Sequence, residues 1–198
     1  MPDVLSIPSF IDNATCKQLA DWIETSKQNN LLCDGVSREN GQVVRVTSRF
    51  TSRMTTIPNI PLVDQLFEKI RSVLDLQTHA RSTGGHGTEG LVYSYTLPGG
   101  DVYEHSDPFV SDLHTLRCNI AVSIPESGAE LYVAGKHQPY QIGDLTCYLV
   151  TRDKHRVTTC VGTKPRILLM FGFLINEQEW VEKVKQFNRI HYESSSLE

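Results

Sequence analysis

The segment YEHSDP, residues 103–108, places a histidine and an aspartate two positions apart. Alternate side chains of a strand point to the same side, so Tyr103, His105 and Asp107 would share one face. A buried charge is costly unless it is paired or bound to a metal. The pair therefore indicates either half of a metal site or an ordinary polar strand end, and short pairs of this kind are usually the latter.

His155 is the candidate third ligand. It begins the segment HRVTTCV, and a closed β architecture would bring it opposite His105 and Asp107. Two histidines and one carboxylate on one face of a metal leave coordination positions open. That arrangement suits non-haem Fe(II), which needs vacant positions for a cosubstrate and O₂.

Arg166 stands at the start of the apolar stretch RILLMFGFL. A guanidinium that faces the interior needs an anionic partner, and its planar fork matches a carboxylate at two points. The hydroxyl of Tyr95 is a candidate donor to the same carboxylate. Lys164 is a rival for Arg166, but it precedes a proline in a turn-like segment. The alternative for Arg166 itself is a strand-end charge that reaches solvent.

The N-terminal part of the chain reads as helical. Apolar spacing predicts helices over residues 12–29, with Asn13 as the N-cap, and over residues 61–76. An alternating segment over residues 44–50 predicts a strand between them.

After residue 77, short apolar segments alternate with turn sequences such as PGGD, PESG and GTKP, which is typical of an all-β sandwich or barrel. The predicted strands are LVYSYTL, LRCNIAVSI, ELYVAG, DLTCYLV, HRVTTCV and RILLMFGFL. A last helix is expected after Asn176. We therefore expect a mainly β fold with flanking helices, in which the N-terminal helices pack on the barrel. It would form one domain over residues 1–192, with a disordered tail over residues 193–198.

Composition excludes several classes of function. The chain has 198 residues, a net charge of −4 and no long basic runs, which argues against binding to nucleic acid or to an anionic membrane. No apolar run approaches the roughly 20 residues needed to span a bilayer, and no signal peptide is recognised. The five cysteines are scattered, so we expect no disulfide framework and a cytoplasmic setting.

The order of these elements resembles the Fe(II)/2-oxoglutarate-dependent dioxygenases, in particular the prolyl 4-hydroxylase-like branch. The similarity runs from SIPSFIDNATCKQLADWI through Tyr95, His105-Ser-Asp107, GAELYV, a Gly-Asp turn at 143–144 and His155-Arg-Val, to Arg166. The resemblance implies a double-stranded β-helix, or jelly roll.

The resemblance also implies a set of ligand contacts. Iron would be held by His105, Asp107 and His155. The cosubstrate 2-oxoglutarate would chelate the iron and place its distal carboxylate on Arg166 and Tyr95. A further polar contact to the cosubstrate would come from Asn119.

The reaction implied by the resemblance is O₂-dependent hydroxylation, or a related desaturation, of a C–H bond. Asp107 argues against halogenation, because halogenating members of this superfamily have a small residue there. We expect a small-molecule substrate, a free amino acid or a related metabolite, and name Tyr103 and Arg117 as candidate contacts. The residues Arg45, Arg49 and Arg53 recur at intervals of four and could meet an acidic substrate, although a solvated edge strand guarded by charge is the favoured explanation.

Two alternative functions remain at this point. The first is a protein hydroxylase that acts on a prolyl or other side chain of a peptide, with the glycine-rich segment 81–90 as the rim of a groove. The second is a non-catalytic jelly-roll module that binds sugars or a partner protein.

Overall fold

The computed structural model describes residues 3–29, 31–39, 42–52, 60–81, 91–109 and 112–195. Within them the helices are α1 (Asn13–Gln28), α2 (Pro61–Val73) and α3 (Glu177–Ser195). The strands are β1 (Leu5–Ile7), β2 (Leu32–Glu39), β3 (Gln42–Ser52), β4 (Leu91–Thr96), β5 (Val102–His105), β6 (His114–Ser123), β7 (Ser127–Gly128), β8 (Leu131–Val133), β9 (Lys136–Gln138), β10 (Leu145–Leu149), β11 (His155–Val157), β12 (Cys160–Val161) and β13 (Arg166–Ile175). The fold is thus mainly β, as predicted.

The strands form two principal antiparallel sheets. One sheet has seven strands in the order β1-β10-β6-β13-β4-β3-β2, and the other has four in the order β5-β11-β8-β9. Between the sheets lies a small apolar cluster that includes Tyr148 of the larger sheet and Val157 of the smaller one. The two sheets therefore face each other and can place residues of both around one site.

The helices cover one face of the seven-stranded sheet. Leu19 and Ile23 of α1 lie in the same buried cluster as Leu66 and Ile70 of α2 and many sheet residues. Such i, i+4 pairs form one apolar stripe on each helix, and burial of that stripe stabilises the helix against the sheet. The helices thus fix which face of the sheet is left for the site.

We call the face that points away from α1 and α2 the site face. Residues directly opposite each other on paired strands point to the same side of a sheet. Thr96 pairs with Arg49 on one side and with Arg166 on the other, which puts all three on this face. The described members of the site face include Arg49, Ser94, Thr96, Arg117, Asn119, Tyr148 and Arg166.

Arg152 connects distant parts of the chain. One guanidinium nitrogen lies 3.0 Å from Asp3 Oδ2 and 3.0 Å from Glu177 Oε1, and the other lies 2.7 Å from Asp153 Oδ2. The hydrogen bonds that Arg152 donates to Asp153, Glu177 and Asp3 raise its pKa further above the usual value. We call Arg152 with Asp3, Asp153 and Glu177 the Arg152 node. It holds the N-terminal segment, the start of α3 and the turn before β11 together.

Several boundaries differ from the predictions. The N-cap of α1 is Asp12, whose carboxylate accepts a hydrogen bond from the Thr15 amide at 2.7 Å, and not Asn13. The predicted segment HRVTTCV is divided into β11 and β12. Helix α3 continues to Ser195, so residues 193–195 of the predicted tail are helical, and residues 196–198 lie outside the described residues.

The remaining expectations concern cysteines, membrane spans and the glycine-rich loop. Cys16, Cys118, Cys147 and Cys160 are free. None of the described helices has an apolar stretch long enough to cross a bilayer. Residues 82–90, which make up almost all of the predicted rim, lie outside the described residues.

Candidate metal centre

Strand pairing brings the three predicted metal ligands together. His105 at the end of β5 is the direct cross-strand neighbour of His155 at the start of β11, and their ring centroids are 4.4 Å apart. Asp107 follows β5, and its amide donates to the Val150 carbonyl at 2.8 Å. One ligand atom from each of the three residues lies within 4.8 Å of the others. The geometry therefore matches a single-ion site.

Both imidazoles are oriented by the backbone. Nδ1 of His105 lies 2.8 Å from the Tyr103 carbonyl, and Nδ1 of His155 lies 3.1 Å from the Asp153 carbonyl. A carbonyl can only accept, so both rings carry their proton on Nδ1. The lone pair on each Nε2 is then free for a metal, which is the usual way that a second hydrogen bond fixes a ligand histidine.

The protonation states also suit metal binding. Burial, followed by the nearby charge of His105, lowers the pKa of His155 to about 4, so its imidazole is neutral near pH 7. Burial opposes ionisation of Asp107, but the contact with the His105 side chain and the charge of Arg117 outweigh it and hold the pKa of Asp107 well below its usual range. Metal ligands must be deprotonated, and these two are.

The two oxygens of Asp107 have different partners. Oδ1 lies 3.4 Å from Nε2 of His105, on the side of the other ligand atoms. Oδ2 lies 3.2 Å from Nη2 of Arg117, which is only 8% exposed. Arg117 therefore leaves one carboxylate oxygen for an ion. Two imidazole nitrogens and one such oxygen are the donor set that suits ferrous iron with open positions.

Arg166 is the second charged feature of the site. It is 4% exposed, and its Nε donates to the Tyr140 hydroxyl at 2.8 Å. That hydroxyl in turn donates to the Ala129 carbonyl at 2.7 Å. Among the described residues no carboxylate forms an ion pair with Arg166. Lys164, the rival candidate, is exposed, so of these two residues it is Arg166 that faces the site.

Comparisons with known proteins bear on this geometry. No protein-family model and no curated protein sequence matches the chain. Solved structures do match: a prolyl 4-hydroxylase of Pseudomonas putida has 15% identity over 89% of this chain and 94% of its own, with a TM-score of 0.60. The chain has the fold of the Fe(II)/2-oxoglutarate oxygenases.

Two further proteins with this oxygenase fold have been solved in complex with different kinds of molecule. A prolyl hydroxylase of Trichoplax adhaerens, in complex with a hypoxia-inducible-factor peptide fragment, has 12% identity over 91% of this chain and 86% of its own, with a TM-score of 0.63. The epimerase SnoN from nogalamycin biosynthesis, in complex with Fe³⁺, α-ketoglutarate and nogalamycin RO, has 10% identity over 87% of this chain and 79% of its own, with a TM-score of 0.66. The fold alone therefore does not select a substrate class.

Within this oxygenase fold the prediction for Tyr95 is wrong. Thr96, and not Tyr95, is the partner of Arg166, so Tyr95 points to the helix side of the sheet. Its ring contacts Phe50, with centroids 6.2 Å apart, and Lys27 Nζ lies 5.1 Å from its ring centre. Burial and a hydrogen bond with Glu24 raise its pKa. Its hydroxyl cannot share a ligand with Arg166.

Tyr103, Arg117 and Asn119, the other predicted contacts, lie close to the candidate metal ligands or on the site face. The Tyr103 ring is 4.8 Å from the His105 ring, and Arg117 and Asn119 lie on the site face. Burial raises the pKa of Tyr148 to about 12, although Arg166 and a hydrogen bond with Asn119 act in the opposite direction.

Two tyrosines of the site were missed from the sequence. The Tyr148 ring lies 5.4 Å from the His155 ring, in a strand that is buried on both faces and therefore shows no alternation. Tyr140 lies outside the regular elements, where no periodic pattern could have pointed to it.

Proposed function

We propose that the protein is an Fe(II)- and 2-oxoglutarate-dependent dioxygenase that hydroxylates an unactivated C–H bond of a small molecule. A free amino acid or a related metabolite is the first choice of substrate. The observation that carries the proposal is the convergence of the ligand atoms of His105, Asp107 and His155 within 4.8 Å. We take the two facing sheets to be the walls of a jelly roll, with the N-terminal helices packed on its outside.

Each residue of the site has a distinct role in this proposal. Iron is held by Nε2 of His105 and His155 and by Oδ1 of Asp107. Arg166 binds the distal carboxylate of 2-oxoglutarate, because it is a buried guanidinium with no ion-pair partner in the described part of the chain and therefore requires an anion. Asn119 supplies a further polar contact to the cosubstrate.

When bound, iron and 2-oxoglutarate supply the oxidising power, so that O₂ is consumed, 2-oxoglutarate becomes succinate and CO₂, and the substrate gains a hydroxyl group. The chain itself contributes orientation and a water-poor site. Tyr140 fixes the Arg166 guanidinium through the bond to Nε at 2.8 Å. Arg117 holds Asp107 in its single-oxygen orientation through the contact at 3.2 Å.

Tyr103 and Arg117 are proposed to meet the substrate. Tyr103 lies against the His105 ring on the four-stranded sheet. Arg117 uses Nη2 on Asp107, whereas its Nη1 is buried without a partner and is the atom left for a polar group of the substrate.

A peptidyl hydroxylase is the second candidate, and it is supported by the similarity to two prolyl hydroxylases, one of them solved with a peptide fragment. A non-catalytic module has less support. It would have no use for two imidazoles whose free Nε2 atoms and a carboxylate oxygen converge on one point.

Iron-dependent release of succinate from 2-oxoglutarate tests the proposal. Free amino acids, related metabolites and proline-containing peptides would be offered side by side. We expect turnover in the wild type, its loss in His105→Ala, and unchanged turnover in the matched control His137→Ala, whose side chain is exposed on β9. Equal turnover in His105→Ala would refute the metal assignment, and stimulation by peptides alone would favour the second candidate.

A further inference from the structure

A second arginine of the site face lies beside Arg166. Arg49 on β3 and Arg166 on β13 pair with the same residue, Thr96, from opposite sides. Neighbouring strands are about 4.8 Å apart, so the two backbone positions are separated by roughly 10 Å and their side chains project to one side. The sheet therefore presents two guanidiniums in one row.

Three polar atoms at and beside Arg49 have no hydrogen-bond partner among the described residues. Its Nε is buried without a hydrogen bond, and so are the hydroxyls of Ser94 and Thr96. Both of these residues are only 1% exposed. Among the described residues no carboxylate forms an ion pair with Arg49. Buried donors without partners are rare in folded proteins unless a ligand satisfies them.

The charges of the site do not balance. The carboxylate with the largest effect on Arg49 is Asp107, which already contacts Arg117. Burial, and then repulsion from Arg166, lowers the pKa of Arg49 below its usual value. Even with ferrous iron and doubly charged 2-oxoglutarate bound, the positive charges of Arg49, Arg117, Arg166 and the metal exceed the negative charges of Asp107 and 2-oxoglutarate. A further anion is required to neutralise the site.

We propose that Arg49 binds a carboxylate of the substrate, so that the substrate is a small organic acid or a free amino acid and not a residue within a peptide. The inference rests on the proposed function, in which Arg166 is occupied by 2-oxoglutarate. Tyr103, on the other sheet, is close enough to Arg49 to influence the pKa of that guanidinium. A carboxylate bound to Arg49 therefore lies near the ring that packs on the ligand His105.

The unpaired state of Arg49 separates this role from a structural one. A structural arginine would be paired, and its replacement would destabilise the fold. Methionine has a similar length, and the half-buried Arg49 charge is costly when it has no ion-pair partner, so an apolar side chain in its place should not destabilise the fold. We therefore expect Arg49→Met to unfold at a temperature equal to or higher than that of the wild type. A lower unfolding temperature would indicate a structural role.

The deciding experiment compares substrate use with cosubstrate affinity. Succinate release is measured with each free amino acid and with small mono- and dicarboxylic acids, each beside its neutral primary amide. The variants are Arg49→Met, Arg49→Lys and the control Arg189→Met, whose side chain is exposed on α3. The affinity of the ferrous protein for 2-oxoglutarate is measured separately by its visible charge-transfer absorption.

We expect at least one acid to stimulate turnover far more than its amide. A charge-assisted hydrogen bond is worth about 10- to 100-fold in affinity, so Arg49→Met should weaken the response to that acid by about that factor. Arg49→Lys should recover part of the response, because it restores the charge without the planar fork. The affinity for 2-oxoglutarate should stay unchanged in all three variants.

Four outcomes would overturn the inference. Stimulation by no acid of the panel would count against a small carboxylate substrate, and equal stimulation by acids and their amides would show that the substrate needs no carboxylate. Unchanged stimulation in Arg49→Met would remove Arg49 from the site. A matching loss of 2-oxoglutarate affinity would assign Arg49 to the cosubstrate. Failure of the wild type to bind iron and 2-oxoglutarate would instead refute the proposed function.

Discussion

Tyr140→Phe removes one hydroxyl that joins two parts of the site. This oxygen accepts from Arg166 Nε at 2.8 Å and donates to the Ala129 carbonyl at 2.7 Å. Phenylalanine keeps the ring, so apolar packing is retained and only the polar contacts are lost. The variant therefore isolates the effect of orienting Arg166 on the free energy of unfolding and on the affinity for 2-oxoglutarate.

The magnitude follows from the two bonds. A hydrogen bond to a charged group is worth about 1.5–3 kcal/mol, and a neutral one about 1 kcal/mol. Arg166 is 4% exposed, so water can replace little of what its Nε loses. We expect Tyr140→Phe to lower the free energy of unfolding by about 2–4 kcal/mol. The affinity for 2-oxoglutarate should fall by about tenfold, because Arg166 is no longer held in one orientation.

Urea unfolding and 2-oxoglutarate titration of the ferrous protein measure the two effects. Tyr132→Phe is the matched control, because its hydroxyl donates to Glu130 Oε2 at 3.0 Å on the exposed side of β8. The control should stay within about 0.5 kcal/mol of the wild type. If Tyr140→Phe behaves like Tyr132→Phe in both measurements, the Tyr140 hydroxyl does not orient Arg166.

Three further predictions concern stability. Trp180 is fully buried, so Trp180→Ala should cost about 3–5 kcal/mol in urea unfolding, and a loss below about 1 kcal/mol would contradict its place in the core. Hydrogen bonds from the amide of Glu126 itself and from Thr163 lower the pKa of Glu126 to about 2. The contribution of Glu126 to the free energy of unfolding is therefore complete above the unfolded pKa near 4.5 and is lost as the pH falls towards 2. The difference in this free energy between the wild type and Glu126→Gln should therefore shrink over this pH range and not widen. Burial lowers the pKa of His155 to about 4, so the metal-free protein should lose on the order of 3 kcal/mol as the pH falls from about 6.5 to 4, a loss that is absent in His155→Gln.

The metal ligands could be predicted only in part from local pattern. The two-residue spacing of His105 and Asp107 is a local signal, because alternate strand positions share a face. Their meeting with His155 depends on the pairing of β5 with β11, which no local pattern encodes. That prediction depended on the resemblance to a known family.

The error at Tyr95 has a physical cause. In the sequence VYSYT, the side chains on one face of the strand are tyrosines, and those on the other face include the small hydroxyl residues Ser94 and Thr96. The tyrosine face packs on the helices, as the contact between Tyr93 and Trp22 shows, with ring centroids 4.9 Å apart. Ser94 and Thr96 take the site face. Both faces of this strand are buried, so burial alone could not tell which parity met Arg166.

The arginines before β4 illustrate the same limit. Intervals of four predict a shared face, but only the register of β3 with β4 shows that this face is the one that holds Arg166. Arg49 is confirmed on the site face. The side chains of Arg45 and Arg53 lie outside the described residues.

The Arg152 node has a practical consequence for handling the protein. Through Asp3 and Glu177 it connects the N-terminal segment and the start of α3 to the turn whose Asp153 carbonyl orients His155. A purification tag, a surface tether or a fusion partner that displaces the N-terminal segment or α3 would pull on that turn. We expect such attachments to weaken metal binding before they disturb the helices, so short, unstrained linkers are preferable next to these segments.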